Sequence, residues 1–180
     1  MVSDEELMVR VQQGDTAAYD ALFARHSRSV YGYLLRRTRE PELASEIFQE
    51  TWLKIHKGRH TYRRDQRFRP WLFGIALNAA RDAGRRSARR IETVDTEAEF
   101  VVPRDRHEER LTLEAAIDRL PEKLRDAFLL GAVHGLDHRE VAAQLDISPD
   151  NARARISRAR AALRQILSVS GLASPTGEGS

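Results

Sequence analysis

Apolar residues recur at three- and four-residue intervals along most of the chain, which is the spacing of one helix face. In the first half of the chain this pattern predicts four helices. Asp15 suits the N-cap of the second helix and Pro41 the first turn of the third, which Gly58 would end. Residues 59–67 lack the pattern and predict a loop, after which Pro70 is expected to open the fourth helix. No stretch of useful length alternates as a β-strand does.

The helical pattern stops near Ile91, where an acidic stretch with one proline begins, and it resumes at Glu108. This interruption predicts a flexible acidic linker between two folded parts. Small and polar residues at the end of the chain predict a frayed tail. The sequence therefore predicts an all-α fold of two small helical domains. The expected division is a first domain over 1–91, the linker over 92–107, a second domain over 108–168 and a disordered tail over 169–180.

The second half carries the most specific pattern in the chain. Pro121 is expected to separate a first helix from a second one that reaches about His134. Asp137 can then cap a short helix, and Ser148 with Pro149 can start a longer, arginine-rich helix. This order predicts a helix-turn-helix, whose second helix lies in the major groove of DNA. The side chains expected to face DNA are Asn151, Arg153, Ala154, Ser157 and Arg158, with Arg155 and Arg160 placed to reach phosphates.

Charge is segregated along the chain, although the formal net charge is only +3. Between Arg59 and Arg90 the arginines are opposed only by Asp65 and Asp82, whereas seven of the nine charged residues in 92–109 are acidic. A basic run of this kind beside aromatic residues favours nucleic acid as the partner.

Several function classes are disfavoured by what the sequence lacks. The chain has no cysteine, which excludes thiolate zinc sites and thiol redox chemistry. His134 and His138 are separated by Gly135 and have no third ligand nearby, and no nucleotide-binding or hydrolase motif is present. We therefore expect no catalytic residue, no metal, no cofactor and no enzymatic activity. The N-terminus is acidic and no apolar stretch approaches the roughly 20 residues of a membrane span, so a cytoplasmic protein without membrane insertion is expected.

Residues 116–164 resemble the minus-thirty-five-binding domain of extracytoplasmic-function (ECF) sigma factors, a group of the sigma-70 family. The shared features are Leu120 with Pro121, the turn at Gly135, residues 140–142, and Arg155 followed by 157–160. This resemblance implies a groove-facing set made of Arg153, Ala154, Ser157 and Arg158. Family members often have Gly-Thr-Val or a similar triplet where this chain has residues 150–152, which leaves the preferred promoter sequence open.

Residues 44–57 are similar to the helix by which sigma factors grip the coiled coil of the largest polymerase subunit. The resemblance implies four polymerase-binding residues: Glu46, Gln49, Glu50 and Trp52. Without this resemblance, the polar side chains of Glu46, Gln49 and Glu50 would be interpreted as ordinary solvated surface.

Residues 60–90 resemble the element of the family that binds and opens the minus-ten sequence. The resemblance implies that loop residues hold a flipped base, that Asn78 reads a neighbouring base and that helix arginines follow the phosphates. Tyr62 and Phe68 are the best candidates for contact with bases, while Trp71 and Ile75 are expected in the helix core. The implied minus-ten set is Thr61, Tyr62, Arg63, Arg64, Arg67, Phe68, Asn78, Arg81, Arg85 and Arg86.

The resemblance covers about residues 5–90 and 108–167. It implies an ECF sigma factor that directs core RNA polymerase to promoters and helps to open them. The implied partners are the coiled coil and flap of the polymerase, promoter DNA and an anti-sigma factor. The alternative is a stand-alone helix-turn-helix regulator, although the first half of the chain shows no sensor pattern.

Overall fold

The structure is a computed structural model that describes residues 2–92 and 113–169, with side chains described over 2–86 and 113–168. Within these ranges the chain is helical and contains no strand. It forms two compact units, Met1–Val94 and Asp95–Ser180. The predicted linker and the predicted tail are described only at their first residues, Glu92 and Val169, each of which is the last residue of a helix, and the rest of both lies outside the described residues.

The N-terminal unit contains four α-helices. They are α1 (Asp4–Gln12), α2 (Thr16–Thr38), α3 (Pro41–Lys57) and α4 (Phe68–Glu92), with one 3₁₀ turn, Arg59–Thr61, between the last two. The predicted caps are confirmed: the Asp15 side chain accepts a hydrogen bond from the backbone N–H of Ala18, and Pro41 opens α3. Gly14 has a φ of +91°, a left-handed conformation that glycine adopts without strain, so the chain can turn from α1 into α2.

Helix α4 begins two residues earlier than Pro70 predicted. Its first residue, Phe68, donates its backbone N–H to Oε1 of Glu5 over 2.9 Å. A helix start leaves its first N–H groups without partners inside the helix, and a carboxylate from α1 satisfies one of them here. Pro70 therefore lies inside the first turn, where a missing N–H is tolerated.

Within residues 113–169 the C-terminal unit contains four further α-helices. They are α5 (Leu113–Asp118), α6 (Glu122–Phe128), α7 (His138–Leu145) and α8 (Pro149–Val169). The helix predicted to run regularly to His134 instead changes to a π-helical turn, Leu129–Val133, after Phe128. Gly131, a poor helix former, lies in this turn close to α8: a Cβ added there would lie 2.6 Å from Cδ1 of Ile156. The absence of a side chain thus allows this turn and α8 to approach each other.

The helix-turn-helix predicted for the C-terminal unit consists of α7 and α8. Asp137 and Glu140 form a capping box at the start of α7, and Asp146 ends that helix in the left-handed conformation, with a φ of 55°. Val141 and Ala142 of α7 are buried, as are the α8 residues Ala152, Ala159 and Leu163. One face of α8 is therefore anchored in the core, which fixes the direction of the opposite face.

Candidate nucleic-acid and protein interfaces

The outer face of α8 is polar and open to solvent. Arg153, Ser157, Arg158 and Arg160 are exposed, and Ala154 is half-buried beside them. Ser148 accepts a hydrogen bond from the backbone N–H of Asn151 over 3.2 Å, which fixes the first turn of the helix. The residues predicted to face DNA thus lie opposite the buried stripe, as their helical spacing requires.

The arginines of α8 differ in their neighbours. Nε of Arg155 donates to Oδ1 of Asn151 over 3.1 Å, which holds both side chains along the helix. Arg153 leans towards α7, where its Nη2 lies 3.4 Å from Nε2 of His138. Among the described side chains none forms a hydrogen bond or an ion pair with Arg158. Its guanidinium is exposed on the outer face of α8.

The loop of residues 59–67, here called the 59–67 loop, holds five of the side chains predicted to contact minus-ten DNA and exposes four of them. Thr61, Arg63, Arg64 and Arg67 are exposed. Oγ1 of Thr61 donates to the carbonyl of Gly58 over 2.7 Å, and Arg63 pairs with Asp65 over 2.6 Å. The loop backbone also has its own hydrogen bonds, since the N–H of Tyr62 donates to the carbonyl of Arg59 and that of Gln66 to the carbonyl of Arg63.

Two aromatic residues of the predicted minus-ten set lie in the core instead. Tyr62 is 3% exposed and Phe68 is fully buried. The Tyr62 hydroxyl donates to the carbonyl of Gln66 over 2.7 Å, and its ring packs against Phe68 and Trp71. Burial of the ring raises the pKa of Tyr62 to about 12. The prediction that these two rings contact bases is corrected, because both rings pack in the core and support the loop from the interior. Trp71 and Ile75, which were expected in the core, are half-buried.

Three α4 residues of the predicted set, Asn78, Arg81 and Arg85, follow one side of the helix at three- and four-residue spacing. Asn78 and Arg85 are exposed, and Arg81 is half-buried between them. Arg85 forms an ion pair with Asp82, one turn earlier. Exposed Arg86 donates from Nη2 to Oε2 of Glu50 over 3.0 Å, so its guanidinium bridges α4 and α3.

The predicted polymerase-binding residues of α3 fall into two groups. Glu46 and Gln49 are exposed, whereas Glu50 is half-buried and accepts from both Lys54 and Arg86. The hydrogen bond from Lys54, followed by the one from Arg86, lowers the pKa of the Glu50 carboxyl, which therefore stays ionised at neutral pH. Lys54 also lies 3.3 Å from Asp82, which adds a second link between α3 and α4.

Trp52 departs from its predicted role as a polymerase contact. Its side chain is 4% exposed, and its ring lies 4.9 Å from the ring of Phe23 and 6.0 Å from that of Tyr19. The indole therefore joins α2 to α3 and supports the exposed side of α3 from within. Phe23, which the sequence reasoning did not select, is the aromatic residue of this cluster that reaches the surface, at 39% exposure.

Gln12 of α1 is a second residue that the sequence reasoning missed. Its side-chain amide donates to the backbone carbonyls of Arg59 and Tyr62, both in the 59–67 loop. These partners are 47 and 50 residues away along the chain, so no local spacing pattern could have paired them.

Within the described residues no group of three or more histidine and carboxylate side chains is arranged to hold a metal ion. Over the same part of the chain, no helix is both long enough and apolar enough to cross a bilayer.

Comparison with known proteins gives relatives that match nearly the whole chain. The chain is 35% identical over 166 residues to the RNA polymerase sigma factor CarQ of Myxococcus xanthus, covering 89% of this chain and 95% of that protein. It is 30% identical over 178 residues to the ECF RNA polymerase sigma-E factor of Escherichia coli, covering 90% and 93%. Among solved structures it is similar to CnrH in complex with the cytosolic domain of CnrY, with a TM-score of 0.68, 27% identity and coverage of 92% and 97%.

The chain combines a helix-turn-helix that has an exposed arginine face with a second helical unit that carries a cationic loop, and these features together define a DNA-binding protein of the transcription-factor class. Two family models specify the class further: sigma-70 region 2 matches residues 22–90, and sigma-70 region 4 matches residues 110–163. The chain belongs to the ECF group of the sigma-70 family. It is a sigma factor that directs RNA polymerase to promoters, and the comparisons do not favour a stand-alone regulator.

Proposed function

We propose a division of labour between the two units. The C-terminal unit reads the minus-thirty-five element through α8, and the N-terminal unit binds the polymerase through α3 and opens the minus-ten element with the 59–67 loop and α4. The observation that carries this proposal is the polar outer face of α8, where Arg153, Ser157 and Arg158 are exposed opposite a buried stripe. Such a face fits the major groove, whose base edges offer acceptors to arginine.

At the minus-thirty-five element, α8 would lie in the major groove with its N-terminal turns against the bases. Arg158 and Arg153 would donate to guanine, or to phosphate where no guanine is within reach. The hydrogen bond from Arg155 to Asn151 orients the Arg155 guanidinium before DNA binds. Arg160 is exposed and would contribute to affinity without reading a base.

At the minus-ten element, the single strand exposed by melting would follow the cationic surface made of the 59–67 loop and α4. A flipped base would be held by Thr61 and the exposed loop arginines, since Tyr62 and Phe68 are buried. Asn78 offers both a donor and an acceptor to the edge of the next base. Arg81 and Arg85 lie further along the same side of α4 and would track the phosphates.

Replacing Asn78 with alanine tests this division directly. We expect weaker opening at the minus-ten element, with a loss of base discrimination there of about 1–3 kcal/mol if the amide reads a base edge. Promoter preference at minus-thirty-five should not change, because that contact lies in the other unit. Gln13→Ala, which removes an exposed amide side chain in the same unit, is the matched control. Transcription by holoenzyme from promoters altered at one element at a time measures both; equal losses at the two elements would contradict the division.

The polymerase contact is proposed for the exposed side of α3. Glu46 and Gln49 are free to pair with basic side chains of a partner helix, such as those of the largest-subunit coiled coil, while the flap would meet the C-terminal unit. Glu50 is partly occupied by Lys54 and Arg86, so a partner would compete with these internal contacts.

Charge reversal at Glu46 should therefore weaken the binding of core polymerase and leave the thermal stability of the free protein unchanged. The expected loss is about 1 kcal/mol or more, as for a charge pair across an interface. Glu40→Lys makes the same change in charge at an exposed N-cap whose side chain makes no cap hydrogen bond. Titration of labelled protein with core polymerase distinguishes the two, and equal affinities would remove Glu46 from the interface.

Three further points complete the proposal. The chain itself would catalyse nothing, because the polymerase supplies the chemistry of RNA synthesis. It would act in the cytoplasm, where polymerase and chromosome meet. An anti-sigma factor is proposed as a regulatory partner, which the solved complex of the similar protein CnrH with the cytosolic domain of CnrY supports.

A further inference from the structure

We propose that Gln12 of α1 is a positioning residue for the 59–67 loop and thereby sets base discrimination at the minus-ten element. The inference depends on the proposed role of this loop in reading minus-ten DNA. Helix α1 ends before residue 22, where the match to the region 2 model begins, so the match assigns Gln12 no role.

The Gln12 amide bonds the backbone at both ends of the first turn of the loop. Nε2 donates to the carbonyl oxygen of Arg59 over 3.0 Å and to that of Tyr62 over 2.8 Å. A side-chain NH₂ has two donors, and here both are used. Thr61, a residue proposed to hold the flipped base, lies between the two carbonyls. One side chain thus fixes the backbone on either side of it.

Helix α1 is itself firmly held, so it can serve as a reference for the loop. Leu7, Met8 and Val11 are buried. At the start of the helix, Asp4 accepts from Arg25 over 2.9 Å and lies 2.7 Å from Nε2 of buried His26. These contacts fix α1 against α2.

The same helix also reaches the far end of the loop. Oε1 of Glu5 accepts the backbone N–H of Phe68, the residue at which α4 begins. Gln12 and Glu5 therefore hold the two ends of the loop from one rigid element, two turns apart on α1. The exposed side chains in between, including Arg63 and Arg64, project from a backbone whose path is set before DNA arrives.

This arrangement matters for specificity more than for stability. A base taken out of the stack is selected by groups held in fixed positions, because a rigid loop cannot rearrange to suit a different base. Releasing the loop start would lower the penalty for a wrong base. Gln13, the next residue, is exposed and offers a matched control.

The test uses Gln12→Glu, Gln12→Ala and, as the control, Gln13→Ala, each in holoenzyme with core polymerase. Gln12→Glu keeps the length of the side chain but places a carboxylate, which only accepts, against two carbonyl oxygens. Transcripts are compared from two promoter pairs, one differing at a single minus-ten base and one at a single minus-thirty-five base. We expect the minus-ten ratio to fall about tenfold in both Gln12 variants, which is within the discrimination that one base contact supplies. The minus-thirty-five ratio, and both ratios for Gln13→Ala, should match the wild type.

The ratios separate positioning from folding, since a smaller folded fraction lowers every transcript and leaves each ratio unchanged. A wild-type minus-ten ratio in Gln12→Ala and Gln12→Glu would overturn the inference while the proposed function stands. If the wild-type protein itself does not discriminate at the minus-ten base, the proposed role of the loop fails and the inference fails with it. A fall in both ratios in the Gln12 variants would also overturn the inference.

Discussion

Replacing Phe68 with alanine is expected to lower the free energy of unfolding of the N-terminal unit by about 3–5 kcal/mol. The ring is fully buried and contacts those of His26, Tyr62 and Trp71, with centroids 5.4–6.1 Å apart. Its removal would leave a cavity under the 59–67 loop, which the surrounding rings are too rigid to close. Both tryptophans of the chain, Trp52 and Trp71, lie in this unit, so their fluorescence during chemical denaturation reports the loss.

The matched control is Arg64→Ala in the same loop. Arg64 is exposed, and its loss should change the stability by no more than about 0.5 kcal/mol. The two variants also decide whether Phe68 is a core residue or a base contact. A Phe68→Ala protein with wild-type stability and a specific loss of minus-ten discrimination would restore the base contact expected from the sequence and contradict the buried position.

The second large effect is expected at Arg158. Arg158→Ala should reduce discrimination at one base pair of the minus-thirty-five element by about 1–3 kcal/mol, which is the value of a good bidentate base contact. The side chain is exposed on the outer face of α8, so stability should be unchanged. Arg158→Lys keeps the charge and loses the planar fork, and it should recover affinity but not discrimination.

The control for this position is Arg164→Ala, an exposed arginine further along α8, away from the turns expected to enter the groove. Its loss should weaken binding to all promoters alike. Holoenzyme binding to a set of promoters altered one base at a time measures both effects. An unchanged base preference in Arg158→Ala would show that this side chain does not face the groove.

The helix boundaries were predictable where a local signal fixes them. Asp15 caps α2 through its own side chain, Pro41 opens α3, and Asp137 caps α7 within a capping box. Each of these signals depends on residues within one turn. The start of α4 was missed by two residues because its cap is Glu5, which comes from the other end of the unit.

The functional set was predictable in its charged members and less so in its aromatic ones. Arginine is costly to bury, so sequence alone places Arg63, Arg64 and Arg158 at the surface with good reason. An aromatic ring beside a basic loop is compatible with either a base contact or the core, and only the packing of helices distant in sequence decides. Tyr62, Phe68 and Trp52 were placed in the interior by such packing.

The most direct test of the central claim is transcription from a candidate promoter with purified core polymerase, with and without this protein, alongside duplex DNA binding by the protein alone. We expect promoter-specific transcripts only when polymerase and this protein are both present, and weak binding of duplex DNA by the protein alone. Tight duplex binding alone, with no effect on the polymerase, would contradict the account.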